Sequence, residues 1–342
     1  MRIGPFILRR LALSVFVLFG LSIVIFVIAR IVPGNPARMA LGPRTPVEIV
    51  ERLSKQMHLD RPIPEQYVLW VWGVLHGDMG DSLLTRRPVL QDIKEFFPAT
   101  FELVTVTAFF IIIIGIFLGV LSARYANTWF DNIVRILSYI GIVTPGFAWA
   151  VIFMLIFGFV WKVFPTVGRL SEGLTPPPLI TGLLTLDSLL AGRFDLFLNA
   201  LSHLILPAAA LAMGPLSQAS RITRSSMAEN QNKDYITSMI AYGVPEKVVA
   251  RKYLLKPSLI PTTTVMALDI AATFGVAFLV ELVFSFPGLS RYGIQAMLNK
   301  DVNAIVGVVI VLGMVFVTLN IVVDVIVAYL DPRIRLLAGR SK

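Results

Sequence analysis

There is no cysteine in this chain. Disulfides, thiol nucleophiles and cysteine-ligated metals are therefore excluded. Histidine is scarce as well: of His58, His76 and His203, one lies near an apolar run, which leaves little for a serine-type triad inside a membrane. Charged residues make up 15% of the chain, well below the roughly 25% of a soluble domain. The phosphate-cradling pattern G-x-x-x-x-G-K-[ST] does not occur, so the chain carries no P-loop of its own. The G-x-G-D segment of aspartyl intramembrane proteases is missing too, since Asp269 follows Ala267-Leu268 and Asp324 follows Val322-Val323. Neither a repeat of 20–50 residues nor a low-complexity tract is present. The inverted repeats of stand-alone secondary transporters are not seen.

Apolar residues dominate instead, at 56%, with a mean hydropathy of +0.78. A spanning helix needs about 20 mostly apolar residues. Six runs qualify: Leu11–Ala29, Phe101–Ala123, Ile133–Trp161, His203–Ala219, Thr262–Phe286 and Ala304–Leu330. The fourth is short and carries Pro207 and Pro215, which makes it the weakest of the six. The composition and these runs predict an all-α polytopic membrane protein of about six transmembrane helices, with one bundle rather than two soluble domains. The first run follows Arg9 and Arg10; it is long for a signal peptide and reads as a retained anchor over residues 1–30.

The net charge of +9 and pI of 9.9 do not require nucleic acid as a partner. Basic residues of membrane proteins collect in cytoplasmic loops. With the N-terminus inside, segments 1–10, 124–135, 221–256 and 331–342 hold 16 Lys/Arg against five acids, whereas the outer segments hold 14 against 12. Both termini are therefore expected in the cytoplasm. The extracytoplasmic loop 31–100 is expected to contain short helices: Thr45-Pro46-Val47-Glu48 reads as a capping box, and Val47, Val50, Leu53 and Met57 follow at helical spacing. Trp70 and Trp72 suit a membrane surface. In the next outer loop, Pro176-Pro177-Pro178 reads as an extended spacer.

The inner loop 221–261 interrupts the lipid-adapted pattern with a polar, basic, helix-patterned stretch. Asp234 can cap a helix starting near Tyr235, with Ile236, Met239 and Ile240 on one face. Gly243 suits a left-handed C-terminal turn. Pro245 fits the first position of a second helix that Pro257 and Pro261 should end. Apolar residues left exposed on such a knob call for a covering partner.

This loop resembles the EAA loop of inner-membrane permeases of ABC importers, and specifically the B-type permease of the dipeptide, oligopeptide and nickel group. Asp234-Tyr235-Ile236 and Ala241-Tyr242-Gly243 match D-Y-V and A-x-G, and Pro261 stands 18 residues after Gly243. The resemblance runs nearly end to end. Arg30-Ile31-Val32-Pro33-Gly34-Asn35-Pro36-Ala37 is similar to R-x-x-P-G-D-P-A. Leu59-Asp60-Arg61-Pro62 with Gln66-Tyr67, then Gly77-Asp78-Met79-Gly80 with Ser82, then Arg87-Pro88-Val89 and Pro98-Ala99-Thr100-Phe101-Glu102-Leu103 follow in order. Glu281-Leu282-Val283-Phe284-Ser285-Phe286-Pro287-Gly288-Leu289 is similar to E-x-V-F-S-x-P-G-L. Asn320, Asp324 and Asp331-Pro332-Arg333 close the series. Departures include Ser238, Met239, Ile240 and Tyr242 in the loop, Pro257 where asparagine is common, and Asn35 for aspartate. Residues 169–200 match nothing in the family pattern.

The resemblance implies a type I permease fold with a core bundle over 101–342. It implies half of a translocation path for di- or oligopeptides delivered by an extracytoplasmic binding protein; oligosaccharides or nickel chelates are the alternative cargo. The implied partners are a second, homologous permease and two cytoplasmic ATPases, which bind ATP and Mg, leaving this chain without cofactor, metal or catalytic site. Its place would be a bacterial or archaeal inner membrane. Asp234, Tyr235, Met239, Gly243, Glu246 and Arg251 become candidates for the ATPase-coupling surface. Four acids fall in the runs: Glu102, near the start of its run and so expected to be wet, and Asp269, Glu281 and Asp324. The last three, with Phe284, Pro287 and Gly288, are candidates for the path or its outer gate, because a charge centred in lipid costs about 2.5–3.5 kcal/mol.

Overall fold

The computed structural model describes residues 3–31, 36–42, 44–56 and 59–330. Val32 to Asn35, Met57 and the closing Asp331-Pro332-Arg333 lie outside the described residues. Among those described the chain is helical, and its one isolated bridge joins Asp81 to Pro88. The N-terminal part comprises α1 (Ile3–Ile31), α2 (Pro36–Leu41), α3 (Val47–Gln56) and α4 (Ile63–Leu75). Then come α5 (Val89–Phe110), a π-helical stretch Ile111–Gly115 and α6 (Ile116–Arg124), which form one continuous rod. α7 (Trp129–Val143), α8 (Gly146–Phe153), α9 (Leu184–Leu190) and α10 (Phe194–Gln231) follow. The last part holds α11 (Asp234–Ala241), the single turn α12 (Glu246–Val248), α13 (Lys256–Val276), α14 (Phe278–Val283), α15 (Leu289–Leu298) and α16 (Val302–Leu330).

Five helices are long and apolar enough to cross a membrane, or six if α7 and the α8 segment form one bent span. That pair corrects the third predicted run: Ile133–Trp161 is broken by a bend of 111°. The cause is local. Thr144 precedes Pro145 and is driven out of the helical region, to ψ 123°, by the proline ring.

A larger correction concerns the fourth run. Rather than a short, weak span, α10 is a 38-residue helix from Phe194 to Gln231. It packs against α5 through α9 and against α13, and 56% of its apolar window is buried, against 11% for α1. Its prolines are tolerated because neighbouring helices surround the freed backbone groups. Close approach explains its centrality. Gly115 and Gly119 form a G-x-x-x-G ridge on the α5–α6 rod, and a Cβ on Gly119 would lie 2.5 Å from Thr223 Cβ and 2.7 Å from the Ser220 carbonyl. Small-residue seams of this kind let membrane helices touch by backbone.

α1 lies at the periphery, antiparallel to α16. Arg10 faces Asp324, and Leu21 faces Gly313: the same interval along each helix. α4 leans on α1 through Tyr67, whose hydroxyl lies 2.7 Å from Ser22 Oγ, and through Tyr67 and Trp70 rings against Phe26. Of the two tryptophans expected at a membrane surface, Trp72 stays exposed and Trp70 joins this aromatic cluster. α3 begins at Val47 as expected, but Thr45 does not cap it: its hydroxyl donates back to the Leu41 carbonyl at 2.6 Å.

Candidate coupling surface and outer gate

The knob expected on the inner side is α11, a glycine turn and α12. Asp234 is the first residue of α11 rather than its cap, a place taken by Lys233, and Pro245 is the extended residue before α12 rather than its first position. Gly243 has φ +77° and terminates α11 with the Val244 N–H donating to the Met239 carbonyl at 3.1 Å, the Schellman pattern that needs a residue without Cβ strain. Ile236 is buried, at 2% exposure, and holds α11 to the body. Asp234, Glu246 and Arg251 are exposed, Met239 is half-buried, and Tyr235 shows 37% of its surface. Of the six predicted coupling residues, Arg251 lies in the π-helical stretch Val249–Leu255 that follows, and the other five lie on this projection. Sequence reasoning left out its two most exposed apolar residues, Tyr242 at 87% and Ile240 at 57%. The clue was their departure from the small residues of the family pattern.

The predicted helix end at Pro257 and Pro261 does not occur. From α12 the chain runs through a π-helical stretch, Val249–Leu255, directly into α13. The wider π turn accommodates Pro257, which lacks an N–H and would crowd the Tyr253 carbonyl in an α-helix. That carbonyl instead accepts a hydrogen bond from the Tyr235 hydroxyl at 3.3 Å. At the root, Asn230 Nδ2 donates to Ser258 Oγ at 2.9 Å and ties the end of α10 to the start of α13. The knob is thus joined rigidly to a membrane-spanning helix.

At the other end, α14 and α15 form a tight hairpin. Glu281 is 0% exposed. Its carboxylate accepts from Thr100 Oγ1 at 2.6 Å and from the Arg291 N–H at 2.7 Å in the first turn of α15. The Thr100 hydroxyl accepts in turn from the Leu289 N–H at 2.8 Å. A Cβ on Gly288 would lie 2.2 Å from Glu281 Oε1, so glycine is required for the turn to close on the carboxylate. Phe284 and Phe286 are buried in the main core with Leu103, Leu206 and Ala210, and Ser285 between them has φ +47°. Glu281, Phe284, Pro287 and Gly288 therefore come together. Asp269 and Asp324 do not join them. Asp324 sits 3.1 Å from Arg10 on the peripheral α1. Asp269, on α13, has one buried carboxylate oxygen without a hydrogen-bond partner among the described residues.

Polar clamps hold the region around this hairpin, and several sequence motifs belong to them. Ser82 Oγ and the N–H groups of Leu83 and Leu84 all donate to Asp301 Oδ2, at 2.6, 2.6 and 3.1 Å, while Asp301 Oδ1 accepts from the Ala304 N–H at the start of α16. Buried Asp92 receives the Tyr292 hydroxyl at 2.8 Å and the Arg87 guanidinium at 2.6 Å. Burial pushes the Tyr292 phenol well above its ordinary pKa, so it remains a donor. Glu102 corrects an expectation: α5 starts at Val89, so Glu102 lies mid-helix, 5% exposed. It accepts from Arg169 Nη2 at 2.7 Å and from the Thr185 N–H at 2.6 Å, fastening the 169–200 stretch that the sequence left unplaced.

No group of three or more His, Asp or Glu able to hold a metal occurs among the described residues. A bundle of five or six apolar helices with a projecting knob defines a polytopic α-helical membrane protein. The chain belongs to the family of inner-membrane components of binding-protein-dependent transport systems, whose profile matches residues 115–336, with the matching N-terminal profile over 3–104. It is 39% identical over 94% of both chains to the probable D,D-dipeptide transport system permease protein DdpB of Escherichia coli. It is 37% identical, over 96% of this chain and 98% of the relative, to the dipeptide transport system permease protein DppB of Alkalihalophilus pseudofirmus, and 33% identical over the same shares to DppB of Escherichia coli.

Proposed function

We propose that this chain is one of two permease subunits of an ATP-driven importer of di- or oligopeptides, with both termini in the cytoplasm. Two ATPases act on it from the inside, and a binding protein delivers cargo from the outside. The dipeptide permeases among its relatives support the cargo. The observation that carries the mechanism is the unbroken path from the exposed Ile240–Tyr242 tip, through the Tyr235–Tyr253 contact and the π-helical stretch, into α13. A docked ATPase that moves α11 also moves α13, and with it the helix that leads to the α14–α15 hairpin. The motor must favour one arrangement of the bundle over the other by a few kcal/mol, and a rigid lever transmits that difference. The hairpin over Glu281 is the outer gate in this scheme.

The test uses proteoliposomes containing the chain with its partner subunits. Gly243→Pro and Tyr235→Asp should insert normally and hydrolyse ATP while uptake of labelled dipeptide falls to background. Unchanged uptake in both variants would remove the knob from the mechanism.

A further inference from the structure

A cavity of about 340 Å³ opens between α7 and α10, within about three turns of the end of α10 that leads to α11. Arg135, Ser138 and Tyr139 come from α7; Ser220, Arg221 and Ser225 come from α10. Behind them Arg224 is held by Asp131, with Nε and Nη2 each 2.6 Å from a carboxylate oxygen, so that pair is internally neutral. Arg135 and Arg221 have no ion pair among the described residues, and the four hydroxyls beside them have no hydrogen-bond partner there. Ser138 and Ser220 are buried, whereas Arg135, Tyr139, Arg221 and Ser225 are exposed at the mouth. Two free guanidiniums beside four hydroxyls offer an anion a convergent set of charge-assisted donors.

The surroundings identify the anion's carrier. Beside the cavity, α7 exposes Ile133, Ile136, Leu137, Ile140 and Val143, the last at 80%. Ile133 lies just before the cavity lining on α7 and Ile136 and Leu137 level with it, while Ile140 and Val143 continue past it along the helix. An anionic head above an apolar lane is the shape of a phospholipid, and basic pockets between membrane helices suit such headgroups.

We propose that this cavity binds the phosphodiester headgroup of an anionic phospholipid in the leaflet on the α11 side, with Arg135 and Arg221 as its cation pair. The bound lipid bridges α7 to α10 beside the root of the knob. It therefore braces the helix from which α11 hangs.

The purified complex with its partner subunits, in mild detergent, provides the test by native mass spectrometry and thermal shift. Dioleoylphosphatidylglycerol should stay bound and raise Tm, and dioleoylphosphatidylcholine should do neither. R135Q/R221Q should weaken retention about thirtyfold, the loss of two cation contacts near a membrane surface. R135K/R221K should restore most of it. The comparison of the two lipids on the unaltered complex needs no variant to fold. Equal retention of both lipids, or an unchanged double variant, would overturn the proposal. So would a full shift from sodium phosphate at the same concentration, which would assign the site to a free anion. Displacement of the lipid by dialanine would assign it to cargo. Photocrosslinking from position 139 to the second permease, in place of lipid, would show that the face is a subunit contact and would equally refute it.

Discussion

Asp131 shows how much one residue holds. It is fully buried, accepts two hydrogen bonds from Arg224 at 2.6 Å, a third from Ser122 Oγ at 2.5 Å and a fourth from the Asn127 N–H at 3.0 Å. Removing one member of such a pair leaves the other charge uncompensated, which costs about 3 kcal/mol. Asp131→Ala should therefore lower the Tm of the detergent-solubilised complex by several degrees, whereas Glu229→Ala, whose 3.5 Å contact to Lys233 is exposed, should not change it. None of the Asp131 contacts was legible from sequence, because Arg224 is 93 residues away and the pairing depends on where α10 crosses α7. Glu281 was legible as an unusual acid, but its partners Thr100 and Arg291 were not.

At the scale of an element, the outer loop around α9 depends on Asp187. Burial pushes its carboxyl up, but hydrogen bonds from the Thr181 hydroxyl and from the N–H groups of Thr181, Gly182 and Ile180 outweigh this and hold it below the usual aspartate range. A carboxylate depressed in the folded state stabilises above its unfolded pKa, about 3.9, and loses that contribution as pH falls through the folded value. The protection of amides over 180–190, their exchange rate relative to the intrinsic rate at each pH, should thus hold from neutral pH down to about pH 4 and fall below it. Asp187→Asn should abolish the pH dependence. A second element, the α5–α6 rod, rests on its glycine ridge. Gly119→Val should cost about 1–3 kcal/mol by forcing the rod off α10, read as lost thermal stability with expression intact. That ridge was visible in the sequence as G-x-x-x-G, a signal passed over because it sat inside an apolar run already assigned to lipid.

For the whole molecule, the absence of cysteine becomes useful. Leu179→Cys and Tyr242→Cys place single thiols at two exposed sites, 86% and 87% accessible. In right-side-out vesicles an impermeant maleimide should label position 179, while position 242 should react only after permeabilisation. The reverse pattern would invert the orientation proposed above. Binding of the ATPases should additionally shield position 242 in the assembled complex.

Composition and hydropathy by themselves determined that this chain lives in a membrane, roughly where it crosses, and that an inner loop breaks the pattern, because burial in lipid imposes long apolar runs on any sequence that spans it. Gly243 likewise announced its turn, since a left-handed backbone tolerates few other residues. Tertiary structure alone decided that α10, with its two prolines, is the centre of the bundle, and that Pro257 passes into a membrane helix instead of ending one. It also divided the intramembrane acids into a hairpin latch at Glu281, a peripheral ion pair at Asp324, a loop anchor at Glu102 and, at Asp269, a carboxylate with one oxygen unpartnered among the described residues. Lipid and protein neighbours are equally apolar, so hydropathy cannot tell them apart. A proline is judged by what satisfies its orphaned carbonyl, and a buried carboxylate by donors from other helices and loops.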